Sequence, residues 1–243
     1  MLVSIIITSY NYERYIKECI ESCLYQTFDD YEIIVIDDGS TDNTNNILVN
    51  YYENEKIKIF NNTNGGIENA SNFGINKAQG KYIVRVDADD VLDKNFLKKL
   101  TSIIETKDIA FIYSNYWIIN EYSNIIKEVI LPNFSISEII KRGDFLATGT
   151  LYKKEIIQKI GYYNERNKNC GLENYELILK LLLENNKGYL VNKPLFYYRR
   201  HSSNISFQKK YEIINYGNNL FSNLKLGNYT TNKFHPYGLV LDD

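Results

Sequence analysis

Three carboxylates stand within four positions in YIVRVDADDVL, residues 82–92. Asp87, Asp89 and Asp90 come directly after an apolar run that predicts a buried strand. Like charges this close repel one another, and burial adds to the cost because it removes the water that stabilises them. Either these side chains are solvated in an ordinary turn, or something positive lies among them and they form a binding site.

Polar residues also follow the other apolar runs of the first half. Thr8, Tyr10 and Asn11 follow the first run, DDGSTDNT (37–44) the second and NTNGG (62–66) the third. A glycine turn and a helix N-cap explain DDGSTDNT in part, but not its two carboxylates before the glycine. The glycines of NTNGG would let the backbone approach a ligand closely.

The elements that must position these residues follow from the apolar pattern. Runs rich in β-branched residues predict strands at 3–8, 32–37, 56–61 and 82–87. Helical spacing of apolar residues predicts helices near 13–25, 42–54, 67–79 and 94–105. This alternation predicts an α/β fold with a mainly parallel central sheet and helices on both faces. Ligands bind beyond the carboxyl ends of the strands in such sheets, so the polar residues would line one cleft.

Composition narrows the class of protein. The chain has 243 residues and 44% apolar content, enough for a sizeable core. Its 28 basic and 30 acidic residues nearly cancel, so no overall field indicates a nucleic-acid partner. Three cysteines without a CxxC pair argue against a disulfide framework and favour the cytoplasm. The N-terminus does not resemble a signal peptide, and no apolar run approaches the ~18 residues of a membrane helix.

Several stretches resemble, in order, the motifs of the inverting glycosyltransferase family 2, which has the Rossmann-like GT-A fold and uses nucleotide-diphosphate sugars. The similarity runs from about Val3 to Ser203. It implies an enzyme that moves a sugar from a UDP- or dTDP-sugar to an acceptor hydroxyl with inversion, in cell-surface polysaccharide synthesis. The stretches are VSIIITSYN, QTFDDYEIIVIDDGSTDNT, NGGIENASNFGINKAQGKYIVRVDADD, GTLYKKEIIQKIGYYNE, GLENYELILKLL and PLFYYRRHSSNIS.

The resemblance implies a nucleotide-binding set in the first half of the chain. In the family pattern Tyr10 packs its ring around the nucleobase, Asp38 accepts a base N–H, which favours uracil or thymine, and Asp87 faces the ribose hydroxyls. The full set is Thr8, Tyr10, Asp38, Asn64, Gly66 and Asp87.

The resemblance also implies a divalent metal, Mn²⁺ or Mg²⁺, held by Asp89 and His201. Such an ion would offset the repulsion among the carboxylates and stabilise the departing diphosphate as a Lewis acid. The alternatives that involve no metal are a turn or cap role for Asp90 and an exposed loop position for His201. The residues expected to contact the sugar or its phosphates are Arg85, Ala88 and Arg200. Arg85 interrupts a buried strand, so it should reach the cleft or pair with a carboxylate.

The catalytic base is where the chain departs from the family. Members usually carry Glu-Asp at this point, with the aspartate as base, whereas this chain has Glu173 and Asn174. An amide cannot accept the proton, so we expect Glu173 to substitute, with Glu176 as the other candidate. A slow enzyme, a register shift of one residue and a nucleotide-sugar-binding relative without catalysis stay open. On the acceptor side Gly149 and Asp144 are candidates, and the sequence settles neither.

The resemblance divides the chain into a GT-A domain, 1–205, and an appendage, 206–243. Within the domain, 1–100 would bind the nucleotide sugar and 101–205 the acceptor, a glycan or lipid-linked glycan. The appendage should form an amphipathic helix and an irregular tail packed on the domain. We expect a cytoplasmic protein, and peripheral association with the inner face of the membrane and a homo-oligomer both stay open. A nucleotidyltransferase is disfavoured because no Gly- and basic-rich triphosphate loop lies near the N-terminus.

Overall fold

The computed structural model describes residues 1–146, 149–232, 235 and 241, without the side chains of Ser206 and Phe207. The strands are β1 Val3–Ser9, β2 Tyr31–Asp37, β3 Ile57–Asn61, β4 Tyr82–Asp87, β5 Val91–Leu92, β6 Phe111–Ile119, β7 Ile125–Val129, β8 Leu151–Lys153 and β9 Gly188–Arg199. The α-helices are α1 Ile16–Leu24, α2 Thr44–Leu48, α3 Ile67–Lys77, α4 Phe96–Ile104, α5 Ile136–Arg142, α6 Lys154–Lys159, α7 Glu173–Leu183, α8 Ile205–Gln208 and α9 Lys210–Leu224.

One mixed sheet carries the fold, in the order β3-β2-β1-β4-β8-β6-β9-β5, with β7 paired to β6. The first four strands along this order are parallel, and β6 and β9 are parallel to each other, whereas β8 is antiparallel to both of its neighbours. The predicted α/β class with a mainly parallel sheet is confirmed. The register places Thr8 beside Asp87 and Ser9 beside Asp37, so these polar strand ends meet at one edge.

The predicted elements of the first half form close to their expected places. Every residue of β1 and β2 is buried, as expected for strands covered on both faces. The helix expected at 42–54 is shorter, because α2 ends at Leu48 and a 3₁₀ turn follows at Val49–Tyr51. Neither half of that asparagine-rich segment buries more than a few side chains, so little packing energy supports a longer helix.

The C-terminal segment shares the main core. The helix α9 places Ile213, Leu220 and Phe221 in the same buried cluster as the sheet, and the ring of Phe221 lies 5.3 Å from that of Tyr229. The helix α9 lies within the predicted appendage, while residues 233–234, 236–240 and 242–243 of that segment lie outside the described residues. Within the described ranges, no helix is long and apolar enough to cross a membrane.

A buried carboxylate far from the polar strand ends supports the sheet. Glu32, near the start of β2, accepts hydrogen bonds from Ser4 Oγ at 2.7 Å, Gln79 N at 2.7 Å and Lys58 Nζ at 2.8 Å. Burial opposes its ionisation, but these donors outweigh burial and hold the pKa of Glu32 below its ordinary value. The charge therefore stabilises the fold above the unfolded-state pKa, and this contribution is lost as the pH falls through the folded-state pKa.

Glu32→Gln is expected to lower the free energy of unfolding by about 1–3 kcal/mol at pH 7, because it weakens three satisfied hydrogen bonds. Urea unfolding at pH 7 and at pH 4 measures this, and the difference from wild type should shrink at the lower pH. Glu53→Gln, at an exposed glutamate, is the matched control and should change stability by less than about 0.5 kcal/mol. Equal stability of the Glu32 and Glu53 variants at pH 7 would contradict this account.

Candidate active site at the carboxyl ends of the strands

A continuous cleft runs along the carboxyl ends of the strands. Thr8, Tyr12, Ile67 and Ile205 line both of its ends and so connect them. The other end has a volume of about 610 Å³, within the range of roughly 300–1,000 Å³ typical of small-molecule sites, and the acidic end has a volume of about 100 Å³. Its polar lining is Arg85, Asp87, Asp89, Asp144, Glu173, Asn174 and Asn204. The other end, called here the tyrosine end, is lined by Tyr10, Asn11, Tyr15, Asp38, Asn64 and His201, among others.

The tyrosine end is lined by four of the six residues predicted to bind a nucleotide, Thr8, Tyr10, Asp38 and Asn64, whereas Asp87 lines the acidic end. Tyr10 is 43% exposed, so its ring face is available to a ligand, whereas Thr8 is buried beneath it in the strand. Asp38 is buried and accepts the backbone N–H groups of Gly65 at 2.9 Å and Gly66 at 2.7 Å. Each carboxylate oxygen can accept a second hydrogen bond, so Asp38 retains capacity for a ligand donor. Asn64, also predicted, is exposed on the same wall.

The two carboxylates of DDGSTD have different tasks. Asp37 is structural, since it accepts hydrogen bonds from Ser40 N at 3.1 Å and from Asn45 Nδ2 at 3.0 Å. Asn11 ties the same turn to the end of β1, because its Oδ1 accepts the Thr41 N–H at 2.8 Å. Asn11 adopts a left-handed conformation with φ of 61°, which asparagine tolerates better than most residues. These contacts fix the turn that carries Asp38 beside β1.

Asp89 and His201, the two residues that the resemblance implies would hold a metal, lie in contact. The Asp89 Oδ2 atom lies 2.8 Å from His201 Nε2 and accepts the Asn204 Nδ2 donor at 3.1 Å. The His201 ring lies 5.0 Å from the ring of Tyr15, which fixes its orientation. A carboxylate oxygen and an imidazole nitrogen are donors that suit a divalent ion such as Mn²⁺. A Mg²⁺ or Mn²⁺ ion held by one or two carboxylates takes its remaining ligands from water and substrate phosphates. The donor set therefore fits the predicted metal.

Asp89 and Asp90 are buried and Asp87 is partly buried, and this crowding raises the pKa values of Asp87 and Asp90. Burial, then the charges of Asp89 and Asp87, raise the pKa of Asp90 well above its ordinary value. Burial likewise raises the pKa of Asp87 to about 6, although Arg85 opposes the rise. The nearby Asp89 charge, followed by burial, raises the pKa of Tyr12. Among the described residues no hydrogen bond reaches Asp90 Oδ2. Added positive charge would relieve this cluster.

Two buried arginines are the positive groups among the carboxylates. Arg199, 1% exposed, donates from Nε to the Asp89 carbonyl at 2.7 Å and from NH2 to Glu18 at 2.6 Å, while its backbone N–H bonds Asp90 Oδ1 at 2.9 Å. Its NH1 atom bonds Ser123 Oγ at 2.9 Å. Arg199 thus fixes the position of the turn that carries Asp89 and Asp90. Of the adjacent pair Arg199 and Arg200, the residue predicted to contact the sugar or its phosphates was instead Arg200, which is exposed and does not line the cleft in the described part of the chain.

Arg85 is the second buried arginine, and it does what its place in the strand predicts. Its NH2 atom lies 2.9 Å from Glu173 Oε1 and 3.1 Å from Asp87 Oδ1, and its guanidinium lies 5.5 Å from the centre of the Tyr163 ring. It therefore links the acidic turn to the start of α7. By contrast, the predicted sugar contact Ala88 has a fully buried side chain in the core, so only its backbone is left for that role.

The start of α7 presents the residues expected around the base. Glu173 lines the cleft in its ion pair with Arg85, and Asn174 lines it while its Oδ1 accepts the Tyr163 hydroxyl at 3.0 Å. Glu176 does not line either end within the described residues, and it bonds Asn164 at 3.1 Å and Lys180 at 3.0 Å. Glu173 also lies within 4.8 Å of Glu68 and Cys170, a group that offers three ligand atoms and is separate from Asp89 and His201.

The acceptor-side loop supplies a residue that the sequence could not assign. Asp144 is 3% exposed and lines the acidic end of the cleft with Glu173 and Asn174. Gly149 has a φ of +81°, and a Cβ there would meet the Phe196 ring at 3.0 Å, so a tight turn accounts for the glycine. Residues 147 and 148 of this loop lie outside the described residues. Tyr12 and Asn204 also line the cleft and were not predicted from the sequence. Their nearness in the sequence to Tyr10 and His201 is the one feature that could have indicated them.

Comparison with known proteins identifies the family. Residues 4–161 match the family model described as glycosyl transferase family 2. The chain is 33% identical over 222 residues to the Escherichia coli UDP-Glc:alpha-D-GlcNAc-diphosphoundecaprenol beta-1,3-glucosyltransferase WfaP, covering 91% of this chain and 86% of WfaP. It is 30% identical to the glycosyltransferase GlyG of Streptococcus pneumoniae serotype 4, covering 84% of this chain and 72% of GlyG.

Solved structures agree on the fold. The structure of S. aureus TarS residues 1–349 in complex with UDP-GlcNAc superposes with a TM-score of 0.76 at 19% identity, covering 94% of this chain and 67% of that one. At this identity the likeness establishes the GT-A fold alone. Together with the matched family model and the relatives that cover most of the chain, it shows that this protein is a glycosyltransferase belonging to glycosyltransferase family 2.

Proposed function

We propose that this glycosyltransferase moves a sugar from a UDP- or dTDP-sugar to an acceptor hydroxyl, with inversion and with Mn²⁺ or Mg²⁺. The observation that supports this most is the arrangement of Asp89 and His201 at 2.8 Å between an exposed Tyr10 ring and the acidic end of the cleft. A nucleobase at the tyrosine end would place its diphosphate near Asp89. The sugar would then extend towards Arg85 and Glu173.

Each part of the proposed donor site has a defined task. Tyr10 stacks on the base, Asp38 accepts a base N–H through its remaining lone pairs, and Asp87 accepts from the ribose hydroxyls. Gly66, with a φ of +92°, and Asn64 bring the backbone close to the nucleotide. Asp89 and His201 would hold the metal, which supplies positive charge to the departing diphosphate. Arg85 and the backbone of Ala88 would contact the sugar, and Arg200, which is exposed and outside the described lining of the cleft, would contact the phosphates.

In this proposal the acceptor is an intermediate of glycan assembly. The name of WfaP gives UDP-Glc as donor and a GlcNAc-diphosphoundecaprenol as acceptor, and this chain covers most of WfaP. We therefore propose a lipid-linked or growing glycan acceptor, met at the inner face of the membrane during polysaccharide synthesis. The reaction also needs a carboxylate that takes the acceptor proton, and both Glu173, the predicted base, and Asp144 line this end of the cleft.

One observation favours a second candidate function. Asn174 stands where the family usually has its base, and its Oδ1 already accepts the Tyr163 hydroxyl. A protein that binds a nucleotide sugar without transferring it would need no base there. Such a protein would bind donor with metal but release no nucleoside diphosphate.

A donor screen tests the proposed function. The full chain is incubated with Mn²⁺, a GlcNAc-diphospho-lipid acceptor and one of UDP-Glc, UDP-GlcNAc, UDP-Gal, a dTDP-sugar or a GDP-sugar, and the released diphosphate and product anomer are measured. We expect turnover with one UDP- or dTDP-sugar and a product of inverted configuration. Product with retained configuration would contradict the proposal, and metal-dependent binding without turnover would favour the second candidate.

A further inference from the structure

Asp144 is a buried carboxylate that the fold leaves incompletely satisfied. The Leu146 backbone N–H donates to this carboxylate, but Asp144 Oδ1 has no hydrogen-bond partner among the described residues. Burying a carboxylate oxygen without a partner is costly, so a structure that retains one needs a reason such as a ligand that completes it. Asp144 lines the acidic end of the cleft, where such a ligand would lie.

The C-terminal segment packs beside the loop that carries Asp144. Gly143 has a φ of +84°, and a Cβ there would lie 2.8 Å from His235 Cδ2 and 2.9 Å from Thr231 Cγ2. Asp144 itself is 3% exposed and lines the cleft, so the carboxylate is shielded from bulk solvent and reached through the cleft. A base that is shielded from bulk water can take its proton from the acceptor hydroxyl instead of from solvent.

Glu173 is engaged differently, although it lines the same end. Its Oε1 atom lies 2.9 Å from the Arg85 guanidinium, and that arginine also holds Asp87 at 3.1 Å. Glu173 therefore orients Arg85, and a proton on Glu173 would break this ion pair. Asn174, next to it, has its Oδ1 occupied by Tyr163, so its Nδ2 remains as a donor that can orient an acceptor hydroxyl.

We infer that Asp144 is the catalytic base of this chain, in place of the aspartate that Asn174 has displaced and in place of the predicted Glu173. This assignment rests on the proposed function. The acceptor oxygen attacks the anomeric carbon, its O–H bond breaks, and the proton passes to Asp144 Oδ1. The bond from the anomeric carbon to the diphosphate breaks at the same time, and the diphosphate leaves with the electron pair.

The electrostatics agree with this role. Burial, followed by the Glu173 charge, raises the pKa of Asp144 to about 8, which makes its carboxylate a stronger base than an ordinary one. The charged groups that face it are Arg85, Asp87 and Glu173. Five tyrosine hydroxyls also face it, and burial raises the pKa of each, so none of them ionises near pH 8; they are Tyr116, Tyr152, Tyr163, Tyr175 and Tyr229.

The test compares wild type, Asp144→Asn, Asp144→Ala and Glu173→Gln as full chains with the donor found in the screen. We expect Asp144→Asn to lower kcat by about 10²–10⁴-fold while the donor KM changes less than about threefold. Glu173→Gln should lower kcat less than about tenfold.

Because only the deprotonated carboxylate accepts a proton, wild-type kcat should rise with pH and level off above about pH 8, and Asp144→Asn should lose this rise. Formate should restore the rate of Asp144→Ala at least about tenfold, by supplying the missing carboxylate.

Two results would overturn the assignment. The first is an Asp144→Asn enzyme whose kcat stays within about threefold of wild type, or falls less than that of Glu173→Gln. The second is absence of formate rescue together with weaker binding of the nucleotide sugar but not of the nucleoside diphosphate, which would make Asp144 a sugar-binding residue. A wild type that binds nucleotide but turns over no donor would overturn the proposed function, and this assignment with it.

Discussion

Asp89→Asn is expected to lower the transfer rate by about a thousandfold while leaving the fold intact. The change removes the negative charge that would attract the metal, and with it the stabilisation of charge that grows on the diphosphate. The fold should persist because an amide can still accept the Asn204 donor, now 3.1 Å from Asp89 Oδ2. It also removes one of three clustered charges, so repulsion with Asp87 and Asp90 falls.

Measuring both activity and stability separates this account from a structural one. Single-turnover transfer rates and urea unfolding, each with and without Mn²⁺, are compared with those of Asp108→Asn, a change at an exposed aspartate outside the cleft. We expect the Asp108 variant to match wild type in both. If Asp89→Asn were inactive only because it unfolds at lower urea concentration, the proposed metal role of Asp89 would lose its support.

Arg199→Met is expected to be the most damaging change to stability. It removes the donors to the Asp89 carbonyl, to Ser123 and to Glu18, and it removes a positive charge that favours ionisation of the buried Asp90 carboxylate. Truncating one partner of a buried charged network costs about 3–5 kcal/mol. Because domains are stable by only about 5–15 kcal/mol, a loss of this size would remove a large share of the protein's free energy of unfolding.

Arg200→Met is the matched control at the neighbouring, exposed position. Urea unfolding should show a loss of at least about 3 kcal/mol for Arg199→Met and less than about 1 kcal/mol for Arg200→Met. Arg199→Lys should recover part of the loss, because lysine restores the charge but not the several donors of the guanidinium. Equal losses at positions 199 and 200 would show that the buried network contributes nothing beyond an ordinary surface arginine.

Much of the first half could be predicted because it consists of local signals. Continuous β-branched runs indicated β1, β2 and β4, and parallel strands bring their carboxyl ends to one edge, so the pattern predicted that Thr8 and Asp87 share that edge, although not that they are direct neighbours. The position of β8 could not be predicted. This strand has three residues and enters the sheet between β4 and β6 by antiparallel pairing, a long-range choice that leaves no periodic trace in so short a segment.

The site shows the same contrast between features that local sequence predicts and features that depend on long-range contacts. His201 was paired with Asp89 only through the resemblance, since 112 residues separate them. The alternating burial of a strand does not by itself show which of two adjacent arginines is buried, so the sequence singled out Arg200 and missed the buried Arg199. Asp144 could not be assigned, because its burial is a tertiary feature that leaves no local pattern; the loop that carries it packs at Gly143 against a segment nearly ninety positions further along the chain.

The most direct test of the central claim is calorimetric titration of UDP, dTDP and GDP into wild type and Asp89→Asn, each with and without Mn²⁺. We predict that UDP or dTDP binds wild type at least about a hundredfold more tightly with Mn²⁺ than without, which is about 2.7 kcal/mol, and that Asp89→Asn abolishes this difference. Binding that is equally strong without Mn²⁺ and in the Asp89 variant, or the absence of binding by every nucleotide, would contradict a metal-dependent nucleotide-sugar site in this cleft.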